Sequence, residues 1–231
     1  MPAIVVVIPA FNEEDSIGRV LGDIPRDLVG SVIVANNGST DGTRQAAEAG
    51  GAVVVDEPRR GYGQACLTGM DKAAGYHPDI IVFLDGDYSD YPEDMREIVQ
   101  PIVDGRADFV LGSRILGERE TGAMVPQAYW GNKFCVWLMR LFFGVRFTDL
   151  GPFRAITWPA LLALNMADRN FGWTAEMQVK AALRGIRILE TPVRYRKRIG
   201  TSKVSGTVSG TIKAGYKILY TIFKGALLWR N

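Results

Sequence analysis

From Ile4 to Ile8 the chain carries a β-branched residue at every position with no polar break, the pattern of a parallel strand covered on both faces. The periodicity then alternates. A helical pattern lies around Glu14 to Leu21, a strand pattern over Val32 to Ala35, and a helix from Gly42 to Ala49 stops at Gly50-Gly51. Val53 to Val55 reads as a strand, Gly63 to Ala74 as a helix, and Asp79 to Leu84 as a buried strand; a helix from about Pro92 to Ile102 and a strand over Asp108 to Leu111 follow. Strand and helix alternating through short connections predict an α/β fold, a Rossmann-like, mostly parallel central sheet with helices on both faces. Ligands of such sheets lie outside the carboxyl ends of the strands, so the loops after each strand are where chemistry belongs.

The turn after the first strand, Pro9 to Glu14, has none of the glycines of a dinucleotide fingerprint, which argues against a nicotinamide or flavin domain. The loop Asn36 to Thr43 is small and polar, with Ser39 or Asp41 placed to cap the next helix. Arg59-Arg60-Gly61-Tyr62-Gly63 puts two cations and two glycines ahead of a helix, where backbone can approach an anionic ligand closely. Asp85-Gly86-Asp87 is the strongest signal. Residues two apart in an extended segment point the same way, so two carboxylates face one side at a strand end; they repel unless a cation offsets them, and hard oxygen ligands suit Mg²⁺ or Mn²⁺.

Composition adds exclusions. Of 231 residues 47% are hydrophobic and 23% charged, which rules out disorder and fibre. A balance of 27 basic against 25 acidic residues leaves a net charge of +2, too little for bulk nucleic-acid binding, so any use of charge is local. Cys66 and Cys135 fit neither a disulfide framework nor a zinc cluster and predict a reduced, cytoplasmic setting. The N-terminal segment lacks the basic start of a signal peptide, and no stretch reaches the ~18 consecutive apolar residues of a spanning helix.

Eight motifs stand in order: PAFNEE from Pro9, NNGSTDGT from Asn36, RGYGQA from Arg60, DGDYSDYPEDM from Asp85, GSR from Gly112, TDLGPFRA from Thr148, GWTAEMQVKA from Gly172 and RIGTSK from Arg198. In that order the chain resembles the family 2 glycosyltransferases of GT-A fold, and within them the dolichyl- and polyprenyl-phosphate sugar synthases without their transmembrane segments. The resemblance implies a GT-A domain over residues 1–210, a C-terminal amphipathic helix over 211–231, and metal-dependent, inverting transfer from a UDP- or GDP-sugar. By it Pro9, Phe11 and Glu13 contact the nucleobase, Asn37 its polar edge, Gly61 the nucleotide sugar and Asp85 the ribose region. Asp87, with Asp85, holds the Mg²⁺ or Mn²⁺ on the diphosphate, while Arg114, Arg198 and Lys203 supply cations to phosphates. Asp149 and Glu176 fall on the acceptor side, one of them a general base if the acceptor is a hydroxyl, neither needed as a base if it is a phosphate. Three positions depart from the family's pattern: Asn36-Asn37 where two acids are common, Ser89 where a Gln ligand is common, and no clear match for the acceptor-loop Arg, so that Asn132 and Lys133 are the nearest polar candidates on the acceptor side.

Phe134 to Phe143 is apolar nearly all round, flanked by Trp130, Lys133 and Arg146, and reads either as a core helix or as an interfacial one. Ile212 to Trp229 sets Lys213, Lys217 and Lys224 among Tyr216, Ile218, Leu219, Ile222, Phe223 and Leu227, an amphipathic cationic helix. The expected partners are a nucleotide-sugar donor, a lipid-phosphate acceptor, the inner face of a membrane contacted peripherally, and a further copy of the chain; nucleic acid is not among them. Three readings compete. They are transfer to a hydroxyl of a lipid or saccharide; a sugar-phosphate nucleotidyltransferase, which wants a basic glycine-rich loop where PAFNEE is acidic; and a non-catalytic nucleotide-sugar-binding module, which has no use for Asp85, Asp87 and Glu176. Without the resemblance, Arg194 to Arg198 reads as a solvated strand face.

Overall fold

The computed structural model describes residues 2–200 and 208–229; Lys203 lies outside them. Strands β1 (Ile4–Ala10), β2 (Ser31–Asn36), β3 (Val53–Asp56) and β4 (Ile80–Phe83) alternate with helices α1 (Ile17–Asp23), α2 (Thr43–Ala49) and α3 (Tyr62–Ala74), as the periodicity predicts. A 3₁₀ turn at Pro92–Asp94 opens α4 (Met95–Val103), which leads to β5 (Phe109–Ser113). The second half adds α5 (Pro126–Phe143), β6 (Arg154–Thr157), α6 (Trp158–Leu164), α7 (Trp173–Leu183), β7 (Ile188–Pro192) and α8 (Val208–Leu228). Of these, β6, α6 and β7 carry no clean period in the sequence.

One seven-stranded sheet runs in the order β3-β2-β1-β4-β6-β5-β7. β6 lies antiparallel to both neighbours, and every other pairing is parallel. The chain winds outward from β1 through β2 to β3 and then returns to the other side of β1 with β4. That reversal leaves a crevice at the carboxyl ends of β1 and β4, the switch point at which parallel sheets bind ligands. Register fixes its walls: Ala10 lies opposite Asn36, so the PAFNEE and NNGSTD loops leave the sheet side by side.

The unbroken apolar run of β1 is explained by burial on both faces. Ile4, Val6 and Ile8 pack with Ile17, Leu21, Ile98 and Val99 on one side, while Val5 and Val7 pack with Cys66, Met70, Met177 and Val179 on the other. On α5 only one stripe is buried, including Cys135, Leu138 and Met139. Trp130, Phe134, Trp137 and Leu141, spaced four, three and four apart, remain exposed on the opposite stripe. The helix starts at Pro126, eight residues before the apolar segment, and stops where Gly144 takes a φ of 72°. α8 packs its Ile222 into the core and lies against α5, Phe142 and Phe223 meeting edge to face at 5.4 Å between ring centres. Its other face, with Ile212, Tyr216, Phe223 and Leu227, is exposed. No helix among the described residues is long and apolar enough to cross a membrane.

Candidate active site

The switch-point crevice is a cavity of about 640 Å³. β1 delivers Pro9, Phe11 and Glu13 to it, the loop after β3 delivers Arg60 and Gly61, and the loop after β4 delivers Asp85 and Asp87. Arg198, from the segment after β7, completes the polar wall.

Asp85 and Asp87 leave β4 on the same side, as their spacing requires. The Tyr62 hydroxyl donates to Asp85 Oδ1 at 2.9 Å. Burial, reinforced by the neighbouring Asp87 charge, pushes the Asp85 carboxyl up to about 7 against that bond. Asp87 accepts the Ser89 backbone N–H at 2.9 Å on Oδ1 and pairs through Oδ2 with Arg198 Nη1 at 2.8 Å. Ser89 thus holds the Asp87 carboxylate through its backbone and is itself buried, off the cavity wall.

Arg60 stacks flat on Phe11, its guanidinium carbon 3.3 Å from the ring centre. The Phe11 loop is pinned by Asn12, in a left-handed conformation at φ 54°, whose Oδ1 accepts the Thr40 N–H at 2.9 Å. Gly42 takes the N-cap position of α2 without a side-chain cap; Asp41, one residue outside it, accepts the Thr43 N–H at 3.0 Å, and Ser39 accepts the Asn12 N–H. Gly61 is required by geometry: its φ is 151°, and a Cβ there would lie 2.1 Å from the Arg169 carbonyl oxygen.

Several residues expected on the ligand are bonded within the chain. Asn37 lines the cavity, but Nδ2 donates to the carbonyls of Glu57 and Arg59 at 3.0 and 2.7 Å and Oδ1 accepts the Gly61 N–H at 2.8 Å. Both its amide hydrogens serve the 57–61 loop, so the donor expected at the base edge is already engaged. Arg114 is off the cavity wall; it clamps Asp149 through two 2.8 Å bonds. Burial works against charge on Asp149, yet the Arg114 guanidinium outweighs it and holds the carboxyl below its usual value. Asn132 bridges the Thr148 carbonyl and the Leu150 N–H at 3.0 and 2.9 Å, fixing the loop that carries Asp149. Lys133 is exposed, 4.7 Å from the Tyr129 ring centre. Glu176 is buried, accepting the N–H groups of Ala167 and Asp168 and pairing with Lys180 at 2.7 Å. It lines a second cavity, not the one that holds Asp85 and Asp87. In the Arg194–Arg198 run Arg194 and Lys197 are exposed, Arg194 pairing with Asp94, whereas Arg196 is half-buried and stacks 3.3 Å from the Tyr88 ring centre and Arg198 is half-buried and pairs with Asp87.

A family model described as glycosyl transferase family 2 matches residues 5–161 of the chain. The chain belongs to that family. This glycosyltransferase is 36% identical over 219 residues to an uncharacterized glycosyltransferase of Mycobacterium tuberculosis, covering 92% of the chain and 94% of that protein. It is 32% identical over 208 residues to a dolichyl-phosphate hexose transferase of Haloferax volcanii, covering 89% and 88%. Glucosyl-3-phosphoglycerate synthase of Mycobacterium tuberculosis, solved with Mn²⁺, uridine diphosphate and phosphoglyceric acid, superposes with a TM-score of 0.77 at 22% identity over 98% of this chain and 79% of that one. The likeness identifies the fold as GT-A.

Other residues of the glycosyltransferase's cavity wall were missed by the sequence reading. Tyr62, which holds Asp85, was seen only as part of RGYG, and Asn170 and Phe171 reach the cavity from the loop ahead of GWTAE, where no local pattern marks them. Lys213 arrives from α8 together with Gly210, one turn earlier on the same helix.

Proposed function

We propose that this glycosyltransferase moves a sugar from a nucleotide-sugar donor to the phosphate of a polyprenyl lipid, with inversion and with Mg²⁺ or Mn²⁺. The observation that carries the donor half is the pair Asp85 and Asp87 at the mouth of the switch-point cavity. Two carboxylates on one cavity wall, with the single guanidinium of Arg198 paired to Asp87, form a hard oxygen donor set. Among the described residues no group of three or more acidic, His or Cys side chains is assembled for a metal. The set fits a cation that takes its remaining ligands from water and a diphosphate, the usual habit of Mg²⁺. When bound, the metal offsets the charge that develops on the leaving nucleoside diphosphate.

The chain's own groups do the rest. Phe11 with its stacked Arg60 offers a flat face for a base, Gly61 lets backbone approach the donor, and Arg198 is the cation nearest Asp87. With Asp87 holding a metal, Arg198 would be free to pair with the diphosphate instead. For the acceptor, the carboxylates on the cavity wall among the described residues are Glu13, Asp85 and Asp87. A lipid phosphate suits such a site. Its oxygen is already anionic, so it bonds to the anomeric carbon as the anomeric C–O bond to the diphosphate breaks, and no proton has to be taken. The exposed aromatic stripes of α5 and α8, bordered by Lys133, Arg140 and Lys213, suit a bilayer rich in anionic lipid. The dolichyl-phosphate relative supports the same acceptor.

The test incubates purified protein with UDP- and GDP-sugars, Mg²⁺ or Mn²⁺, and either a short polyprenyl phosphate or a polyprenol, reading nucleoside diphosphate release and the glycosylated lipid. Product on the phosphate and none on the alcohol is expected. Turnover on the alcohol or on a soluble sugar alone would overturn the acceptor assignment.

A further inference from the structure

A second cavity, about 290 Å³, lies on the far side of the 167–171 loop, closed by α7 and α8. Its walls carry Arg169, Lys217 and Lys224 against Asp168 and Glu176. Both acids are already neutralised: Glu176 by Lys180 and two backbone N–H groups, Asp168 by Lys217 at 2.9 Å. Arg169 and Lys224 have no ion pair among the described residues, although Lys224 lies 5.6 Å from the Trp229 ring centre. Two cations without an ion pair among the described residues, together with Tyr220, therefore line a concave space whose acids have been answered from within. Tyr220 stands 46% exposed at its edge, beside the apolar stripe of α8.

We propose that this cavity is a binding site for a phosphate group, separate from the donor site. The reasons are charge and shape. Guanidinium and ammonium groups that lack carboxylate partners among the described residues favour an anion, and a phosphate fits the volume with its first waters. The group comes either free in solution or as the head of a lipid whose chain lies along Tyr216, Tyr220 and Phe223. One loop separates the two sites: Asp168 and Arg169 face this cavity while Asn170 and Phe171 face the donor cavity. An occupant that bridges Arg169 and Lys224 ties that loop to α8, which also supplies Gly210 and Lys213 to the donor cavity.

The experiment titrates the full chain with inorganic phosphate at constant ionic strength by calorimetry, the donor cavity filled beforehand with excess uridine diphosphate and Mg²⁺. A second arm measures sedimentation with phosphatidylcholine vesicles containing phosphatidic acid, against phosphatidylcholine alone. Saturable binding is expected in at least one arm, and which arm responds names the source. Lys224→Gln and Arg169→Gln/Lys224→Gln should weaken it at least tenfold, while Arg19→Gln/Lys72→Gln, which removes the same charge from exposed positions on α1 and α3, should change it less than threefold. Binding of uridine diphosphate to each variant checks that it is folded, and Lys224→Gln, on a partly exposed position of α8, gives the answer should the double variant fail. No saturable binding in either arm, or equal losses for the cavity variants and the surface pair, overturns the proposal.

Discussion

Glu176→Gln separates two accounts of the same residue. If Glu176 took a proton from an acceptor, the substitution would lower kcat by about 10²–10⁴-fold and leave stability alone. The structure predicts the reverse. The carboxylate is 2% exposed, accepts the Asp168 N–H at 2.7 Å and the Ala167 N–H at 3.1 Å, and pairs with Lys180 at 2.7 Å, a side chain itself only 9% exposed. A glutamine has one acceptor oxygen for these three donors, and its amide hydrogens point at one of them. Removing one partner of a buried pair costs about 3–5 kcal/mol because the other charge stays buried. At the lower end, about 3 kcal/mol, a chain of this size should lose about 6–12 °C of Tm. The loop freed by the change carries Asn170 and Phe171 into the donor cavity, so the donor KM should rise while kcat at saturating donor, measured well below the new Tm, falls less than about tenfold, or 1.4 kcal/mol. Calorimetric unfolding and steady-state kinetics on one preparation decide it. Glu176→Leu/Lys180→Met, which removes both charges, should recover part of the lost Tm. A parental Tm with a hundredfold loss of kcat would refute this account and restore Glu176 as the base.

Three further outcomes follow from other parts of the molecule. Asp87→Ala should cut metal-dependent turnover by at least about a hundredfold, over 2.7 kcal/mol, and turnover within threefold of the parent at saturating metal would remove the ligand assignment. A Cβ on Gly63 would sit 2.1 Å from the Asp168 carbonyl oxygen, so Gly63→Ala must push the 168–171 loop and should lower Tm and raise the donor KM together; an unchanged KM would show that this loop does not shape the site. Glu57 is held down to about 2 by Arg59, with Thr68 and Gln64 adding hydrogen bonds against burial. Since its folded value lies below the unfolded one, its contribution is complete above the unfolded value and is lost as the pH falls toward about 2, so denaturant midpoints of the parent and Glu57→Gln should converge below pH 3 and separate above pH 5.

Much of the first half was legible because each of its elements answers to a local rule. A strand buried on both faces has to be apolar throughout, which is why Ile4 to Ile8 stood out, and β1 to β5 alternate with helices that bury a single stripe. The spacing of Asp85 and Asp87 at a strand end likewise put two carboxylates on one side, and the structure sets both on the cavity wall. β6 escaped because the charge that opens it, Arg154, is fully buried and bonded to the nearby Gly151 carbonyl and to the carbonyl of Thr174, a partner 20 residues on that no period encodes. The roles of Asn37, Arg114, Asp149 and Glu176 were beyond the sequence for a related reason. A polar residue type states what a side chain can bond, whereas the partner within 3 Å is set by which loops the sheet order brings together: Asn37 finds the 57–61 loop, Arg114 finds Asp149, and Glu176 finds the backbone at 167 and 168. Local pattern is written in residues three or four apart, while the contacts that decide which acids face a ligand and which brace a loop span 8 to 35 residues and exist only once the sheet has closed.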